Sequence, residues 1–204
     1  MASNTFAPFG FSQYRGTGSS PTFEQVPAVI AAATANIFQG DPTFRLSTGD
    51  IAGVTTGPGP GTGILAGIFV GCNWLSVAQK RRVWGNYWPS ADIAAGTFAN
   101  CHLVNDPNAQ FLCQVGTSTT TGFVLADLGQ NFQFAYGTGS TANGISGAYA
   151  DQAVARAATA TLPFRVVSLV TEPPGANGTI QTGGNNYIIA AFVNVETKTL
   201  AGAL

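Results

Sequence analysis

Ionic side chains are scarce in this chain. Of 204 residues, 8% are Asp, Glu, Lys or Arg, against about 25% in an ordinary soluble domain. The net charge of −1 gives no electrostatic footprint for nucleic acid, which requires clustered Lys and Arg to neutralise phosphates. The single basic cluster is Lys80-Arg81-Arg82, read as a solvated turn or a site of interface ion pairs.

Histidine is nearly absent. A catalytic triad could draw only on His102. Its neighbour Cys101 would point to the opposite face of a strand, so the two cannot act as base and nucleophile. The acids Glu24, Asp41, Asp50, Asp92, Asp106, Asp127, Asp151, Glu172 and Glu196 show no spacing that singles out a carboxylate pair. Several sit beside Gly or Pro, where turns favour them. No Asp-x-Asp run marks a calcium loop, and one histidine with three cysteines lacking CxxC spacing leaves no zinc set. The expectation is a protein with no catalytic residues, no metal and no cofactor.

Cys72, Cys101 and Cys113 are odd in number. They are expected to be reduced thiols, as suits assembly in a reducing cytoplasm, with a single disulfide as the alternative. The first residues lack a basic start followed by an apolar stretch, so no signal peptide is expected. No apolar run reaches the roughly 18 residues of a spanning helix. Asn177-Gly178-Thr179 is therefore read as a turn rather than a glycan acceptor. The loop Gly57-Pro58-Gly59-Pro60-Gly61-Thr62-Gly63 lacks the Gly-Lys-Ser/Thr ending of a phosphate loop, and its prolines remove donors.

What the chain has is apolar mass, 45% of residues, arranged as short segments between turns. Strands are expected at Phe44 to Ser47, Ile51 to Thr56, Ile64 to Cys72, Arg82 to Tyr87, Thr97 to Asn105, Ala109 to Val115, Phe164 to Thr171 and Asn186 to Val195. Phe132, Phe134 and Tyr136 alternate with Gln133 and Ala135 as a one-face strand. Gly40-Asp41-Pro42, Trp88-Pro89-Ser90, Asp106-Pro107-Asn108 and the Pro-Pro-Gly at 173–175 read as turns. Val26 to Phe38 leans to extended structure despite its alanines, whereas the alanine-rich Tyr149 to Ala160 is the better helix candidate. The fold class that follows is mainly β. It is an antiparallel sandwich or barrel, jelly-roll-like, with at most one or two short helices.

Residues 1–22 are expected to form an extended N-terminal arm, and 23–204 a single β-rich domain. The arm carries Phe6, Phe9, Phe11 and Tyr14 in a Gly- and Ser-rich stretch, rings able to anchor it over a neighbouring subunit. With Lys80, Arg81, Arg82 and Trp84 these make the candidate interface. Trp74, Trp84, Trp88 and Tyr87 lie close in sequence and offer a second reading, a carbohydrate-binding β module such as an adsorption domain; packed together they would instead be core and strand corners.

Several phrases in order resemble a family of tailed-phage virion proteins described as capsid decoration or cement proteins. They are Asn36-Ile37-Phe38-Gln39-Gly40-Asp41-Pro42, Gly67-Ile68-Phe69-Val70-Gly71-Cys72, Asn86-Tyr87-Trp88-Pro89, Val104-Asn105-Asp106-Pro107-Asn108-Ala109-Gln110-Phe111, Gly144-Ile145-Ser146-Gly147 and Ala160-Thr161-Leu162-Pro163-Phe164-Arg165-Val166-Val167. The alanine-rich segment before Asn36 and the basic Lys80-Arg81-Arg82 loop depart from that pattern. The resemblance implies a β-rich subunit on the outer surface of a virion, binding the major capsid protein and bridging capsomers. It also implies closed self-association, with a homotrimer preferred to a homodimer. A surface poor in ionic groups agrees with this, because permanent interfaces are depleted of Lys, Glu and Asp.

Overall fold

The computed structural model describes residues 4–17, 25–31, 35–53, 63–116, 121–170 and 183–198. Most of the glycine–proline loop after Gly53, the turn at 173–175, Asn177-Gly178-Thr179, Glu24, Glu172 and the arm's residues 1–3 and 18–22 lie outside them. Among the described residues fifteen strands run in chain order. They are β1 (Ser12–Arg15), β2 (Val26–Ile30), β3 (Ile37–Phe38), β4 (Pro42–Arg45), β5 (Ile51–Ala52), β6 (Leu65–Leu75), β7 (Arg82–Gly85), β8 (Tyr87–Trp88), β9 (Ala99–Val104), β10 (Gln110–Gly116), β11 (Asn131–Phe132), β12 (Phe134–Ala135), β13 (Tyr149–Asp151), β14 (Phe164–Leu169) and β15 (Tyr187–Phe192). The described residues contain no α-helix, only a 3₁₀ turn at Leu125–Asp127. The mainly β class stands, in a barrel-like arrangement.

The first sheet has the order β4-β5-β2-β9-β6-β7, and β4 also pairs with β6, closing a ring of strands. The long β6 makes this possible: one edge pairs with β9, while the other is shared between β4 near its start and β7 near its end. Gly67 lies where β4 and β9 flank it, at φ 153°, and a Cβ there would fall 2.6 Å from the Val104 carbonyl oxygen. Inside the ring lie Ile30, Ile51, Ala66, Phe69, Cys72, Trp74, Cys101 and Leu103.

The second sheet runs β11-β14-β15-β10-β13-β12, with β1 on β10. Its two end strands, β11 and β12, are one continuous stretch of chain. Phe132 pairs with Phe164 and Phe134 with Ala150, and the amide of Asp151 donates to the Gln133 carbonyl. The single strand expected through Phe132, Phe134 and Tyr136 is thus divided, because each half pairs with a different neighbour. Two-residue alternation still sends Phe132 and Phe134 inward, both fully buried. The core is aromatic: Phe164 stacks on Phe11 at 4.3 Å, on Phe192 at 5.6 Å and on Phe132 at 5.8 Å.

The two units share a wall. Phe44, Leu65, Ile68 and Val104 belong to strands of the first sheet but pack into the aromatic core of the second. Leu65 also exchanges backbone hydrogen bonds with Asn194 and Glu196, and Arg45 pairs with Glu196 at 2.8 Å.

Two expectations are corrected. Tyr149 to Ala160 is not a helix: Tyr149–Asp151 is a strand between β10 and β12, and Ala157 bridges Asn131. Alanine is the best helix former, but its advantage is under about 1 kcal/mol per residue and tertiary packing overrides it; Ala148 and Ala150 serve as compact, fully buried fillers against the rings. Nor are the described residues 4–17 a projecting arm. Phe11 sits 1% exposed in the core, and β1 pairs with β10. Gln114 alternates along β10 with the inward Phe111, Cys113 and Val115, yet it is buried because residues 5–7 cover it. Its amide accepts from Ala7 N at 2.9 Å and donates to Thr5 O at 2.9 Å and Asn185 O at 3.1 Å. Val26 to Phe38 is extended where described, as β2 and β3.

Candidate functional site

The structure sorts the candidate residues by which face of a strand each one occupies. In β7, Val83 turns inward while Trp84 turns out, opposite Asn73 of β6. Trp84 is 69% exposed, and its ring lies nearly parallel to His102 of β9, centroids 6.0 Å apart. The rings stand on strands either side of β6, where Gly71, opposite His102, supplies no side chain. Trp74 and Trp88 meet edge to face at 5.8 Å inside the first core, 6% and 1% exposed. Tyr87 is half-buried and stacks on Phe38. The four rings therefore form no common platform; one is presented and two are core.

Lys80 and Arg81 lie in the turn joining β6 and β7, and Arg82 is the first residue of β7. Ser76 N donates to Arg81 O across the turn, and Lys80 takes the left-handed conformation at φ 52°. Arg81 donates to Gln79, and Arg82 donates to Asn73 Oδ1 at 2.6 Å. Asp92 fastens the turn by accepting from Ser76 Oγ at 2.6 Å and Ala78 N at 3.0 Å, contacts that hold its carboxyl below the usual range. None of the three basic residues takes part in the two ion pairs found among the described residues, Arg45–Glu196 and Arg156–Asp127. The turn is exposed and cationic beside an exposed indole.

Of the N-terminal rings, Phe6 is 46% exposed and meets Tyr149 edge to face. Phe9 is half-buried on Tyr187, Tyr14 is exposed with Arg15 over its ring, and Phe11 is interior. As an interface residue Phe11 is corrected: its ring is held by its own molecule. Composition carried no signal for this, because burial of one ring among the four depends on long-range pairing. Sequence reasoning also missed Phe98, 72% exposed, and Leu125, 55% exposed.

A groove of about 330 Å³ runs between β1 and β6. Phe11, Phe69 and Phe111 form its floor, and Gln13, Gln25 and Gln39 stand at its rim. Among the described residues no ionic side chain lines it.

One buried carboxylate stands out. Asp41 accepts from Ser146 Oγ at 2.5 Å and from Phe38 N at 2.7 Å, fastening the turn before β4 to the segment before β13. Burial pushes it up to about 6 against those hydrogen bonds. Ser146 is 1% exposed and its Oγ also accepts from Ala148 N, so this pair is a clamp closed to solvent. His102 and Cys101 point to opposite faces, the thiol fully buried and the imidazole outward. Among the described residues no group of three or more His, Cys, Asp or Glu could hold a metal ion, and no helix is long and apolar enough to cross a membrane.

Comparison with protein-family models, with curated proteins and with solved structures finds no match to this chain.

Proposed function

We propose that this chain is a non-enzymatic assembly subunit, a decoration or cement protein that binds the outer face of a tailed-phage capsid and bridges neighbouring capsomers. One observation carries the reading: the surface presents rings and aliphatic chains where a free-standing protein presents charge. Phe98, Trp84, Val77, Leu125, Tyr14 and Phe6 are each between 46% and 72% exposed, while only two ion pairs occur among the described residues. Aromatic enrichment with depletion of Lys, Glu and Asp is the signature of surfaces covered by other protein. Many copies on one shell would add weak contacts through multivalency. The partners in this reading are the major capsid protein and further copies of the chain, as a homotrimer in preference to a homodimer, on the outside of the virion.

The test is co-sedimentation of the purified chain with expanded capsids lacking it, followed by cryo-EM. Saturable binding with symmetric density outside the shell supports the reading. A monomer that ignores capsids at micromolar concentration overturns it. The Trp84–His102 pair favours a second reading, carbohydrate binding through an exposed aromatic face. Glycan-array binding that disappears in Trp84→Ala, without capsid binding, would establish that one instead.

A further inference from the structure

We infer that Cys72 and Cys101 are a modification site: a latent cross-strand disulfide that staples β6 to β9, with Cys113 excluded from any intrachain pairing. The register of the first sheet sets Cys72 of β6 directly opposite Cys101 of β9, between the pairs Gly71–His102 and Asn73–Asn100. Directly opposed antiparallel residues have Cα atoms about 4.5–5.5 Å apart, inside the roughly 4.4–6.8 Å that a disulfide spans. Both side chains face the same interior, 1% and 0% exposed. Cys113 lies in β10 and packs in the other, aromatic core. Of the three pairs the sequence allows, the topology permits one.

At rest the sulfurs are free thiols, each beside a different backbone partner. Cys72 Sγ donates to Tyr87 O at 3.5 Å, whereas Cys101 lies beside the Ala28 backbone amide of β2. Forming the bond requires each side chain to leave that partner and adopt disulfide geometry. Burial pushes both thiols up to about 12, which keeps them inert while the sheet is closed, since the thiolate is the attacking species. Oxidation therefore belongs to folding or to transient opening of the sheet. A small-molecule disulfide such as oxidised glutathione is attacked by one cysteine thiolate, releasing one glutathione thiol and leaving a mixed disulfide. The second cysteine thiolate then displaces the other glutathione, so two protein thiols become one disulfide and two glutathione thiols form.

The experiment refolds the reduced full-length chain in a buffer of reduced and oxidised glutathione, quenches with acid, blocks remaining thiols with iodoacetamide in denaturant, and maps peptides by mass spectrometry. The expected result is a Cys72–Cys101 linked peptide with Cys113 alkylated. Intact mass should show two hydrogens lost and one carbamidomethyl gained. The oxidised form should melt about 10 °C above the reduced form, because residues 72–101 become a closed loop. Cys113→Ala should behave identically, and Cys72→Ser should give no intrachain link. A link involving Cys113, stable glutathione adducts at Cys72 or Cys101, or recovery of three alkylated cysteines overturns the assignment.

Discussion

Replacing Phe11 with alanine distinguishes an N-terminal segment that docks on a partner from one that completes the protein's own core. The ring is 1% exposed. It stacks on Phe164 at 4.3 Å and 13°, and meets Phe134 edge to face at 6.1 Å. Burial of a Phe costs about 3–5 kcal/mol to remove, the larger values arising where surroundings cannot collapse. Here the backbone flanking the ring is fixed: Gly10 N donates to Ala148 O, and Phe11 N donates to Gly40 O at 2.9 Å. A loss of about 4 kcal/mol follows, a large share of the roughly 5–15 kcal/mol of a typical domain. With a urea slope of about 2–3 kcal/mol per M, the midpoint should fall by about 1.5–2 M. The assay is urea denaturation followed by far-ultraviolet circular dichroism and by tryptophan fluorescence. The second probe reports the first core, where Trp74 and Trp88 lie. Phe6→Ala, whose ring is 46% exposed, is the control and should cost under about 1 kcal/mol. A Phe11→Ala midpoint matching that of Phe6→Ala would refute the argument and restore the projecting arm.

Three further outcomes are expected. Asp41 keeps its proton up to about pH 6 in the folded chain and loses it near 3.8 when exposed. The unfolded state therefore binds fewer protons between those values, and Asp41 makes stability fall by about 2 kcal/mol as pH rises from 4 to 6; in Asp41→Asn, stability curves measured by urea titration should lack that decline. Gly10 has φ +78°, and a Cβ there would lie 2.7 Å from Ser146 Cβ and 2.8 Å from Gly40 O. Gly10→Ala should thus cost at least about 2 kcal/mol, whereas Gly49→Ala, at φ +90° with nothing within 4 Å, should cost about 1 kcal/mol by thermal melting. Trp84→Ala removes a ring 69% exposed and should change stability by less than about 1 kcal/mol while lowering capsid occupancy in co-sedimentation.

Much of the fold was legible because strands and turns are written locally. The strand expected at Ala109 to Val115 is there as β10, where Phe111, Cys113 and Val115 alternate incompletely with Leu112 and Gln114 and are fully buried. Asp106-Pro107-Asn108 made its turn, with Asp106 accepting from Asn108 N at 2.9 Å. The opposite faces of Cys101 and His102 followed from strand geometry alone. The sequence alone thus determined the β class, most strand positions and the scarcity of ionic groups, all of which rest on neighbours in the chain.

What required the tertiary structure is everything set by distant partners. The alternation of Phe132 and Phe134 does not reveal that β14 takes one half of the segment and β13 the other. Gln114 is buried because residues 5–7 cover it. Trp74, Trp84 and Trp88 are chemically alike, and only the pairing of β6 with β7, and of β3 with β8, decides which ring meets solvent. Cysteine count leaves three pairs open until the register of β6 on β9 selects one. Closure of each sheet joins residues far apart in sequence, and no local pattern encodes which edges meet.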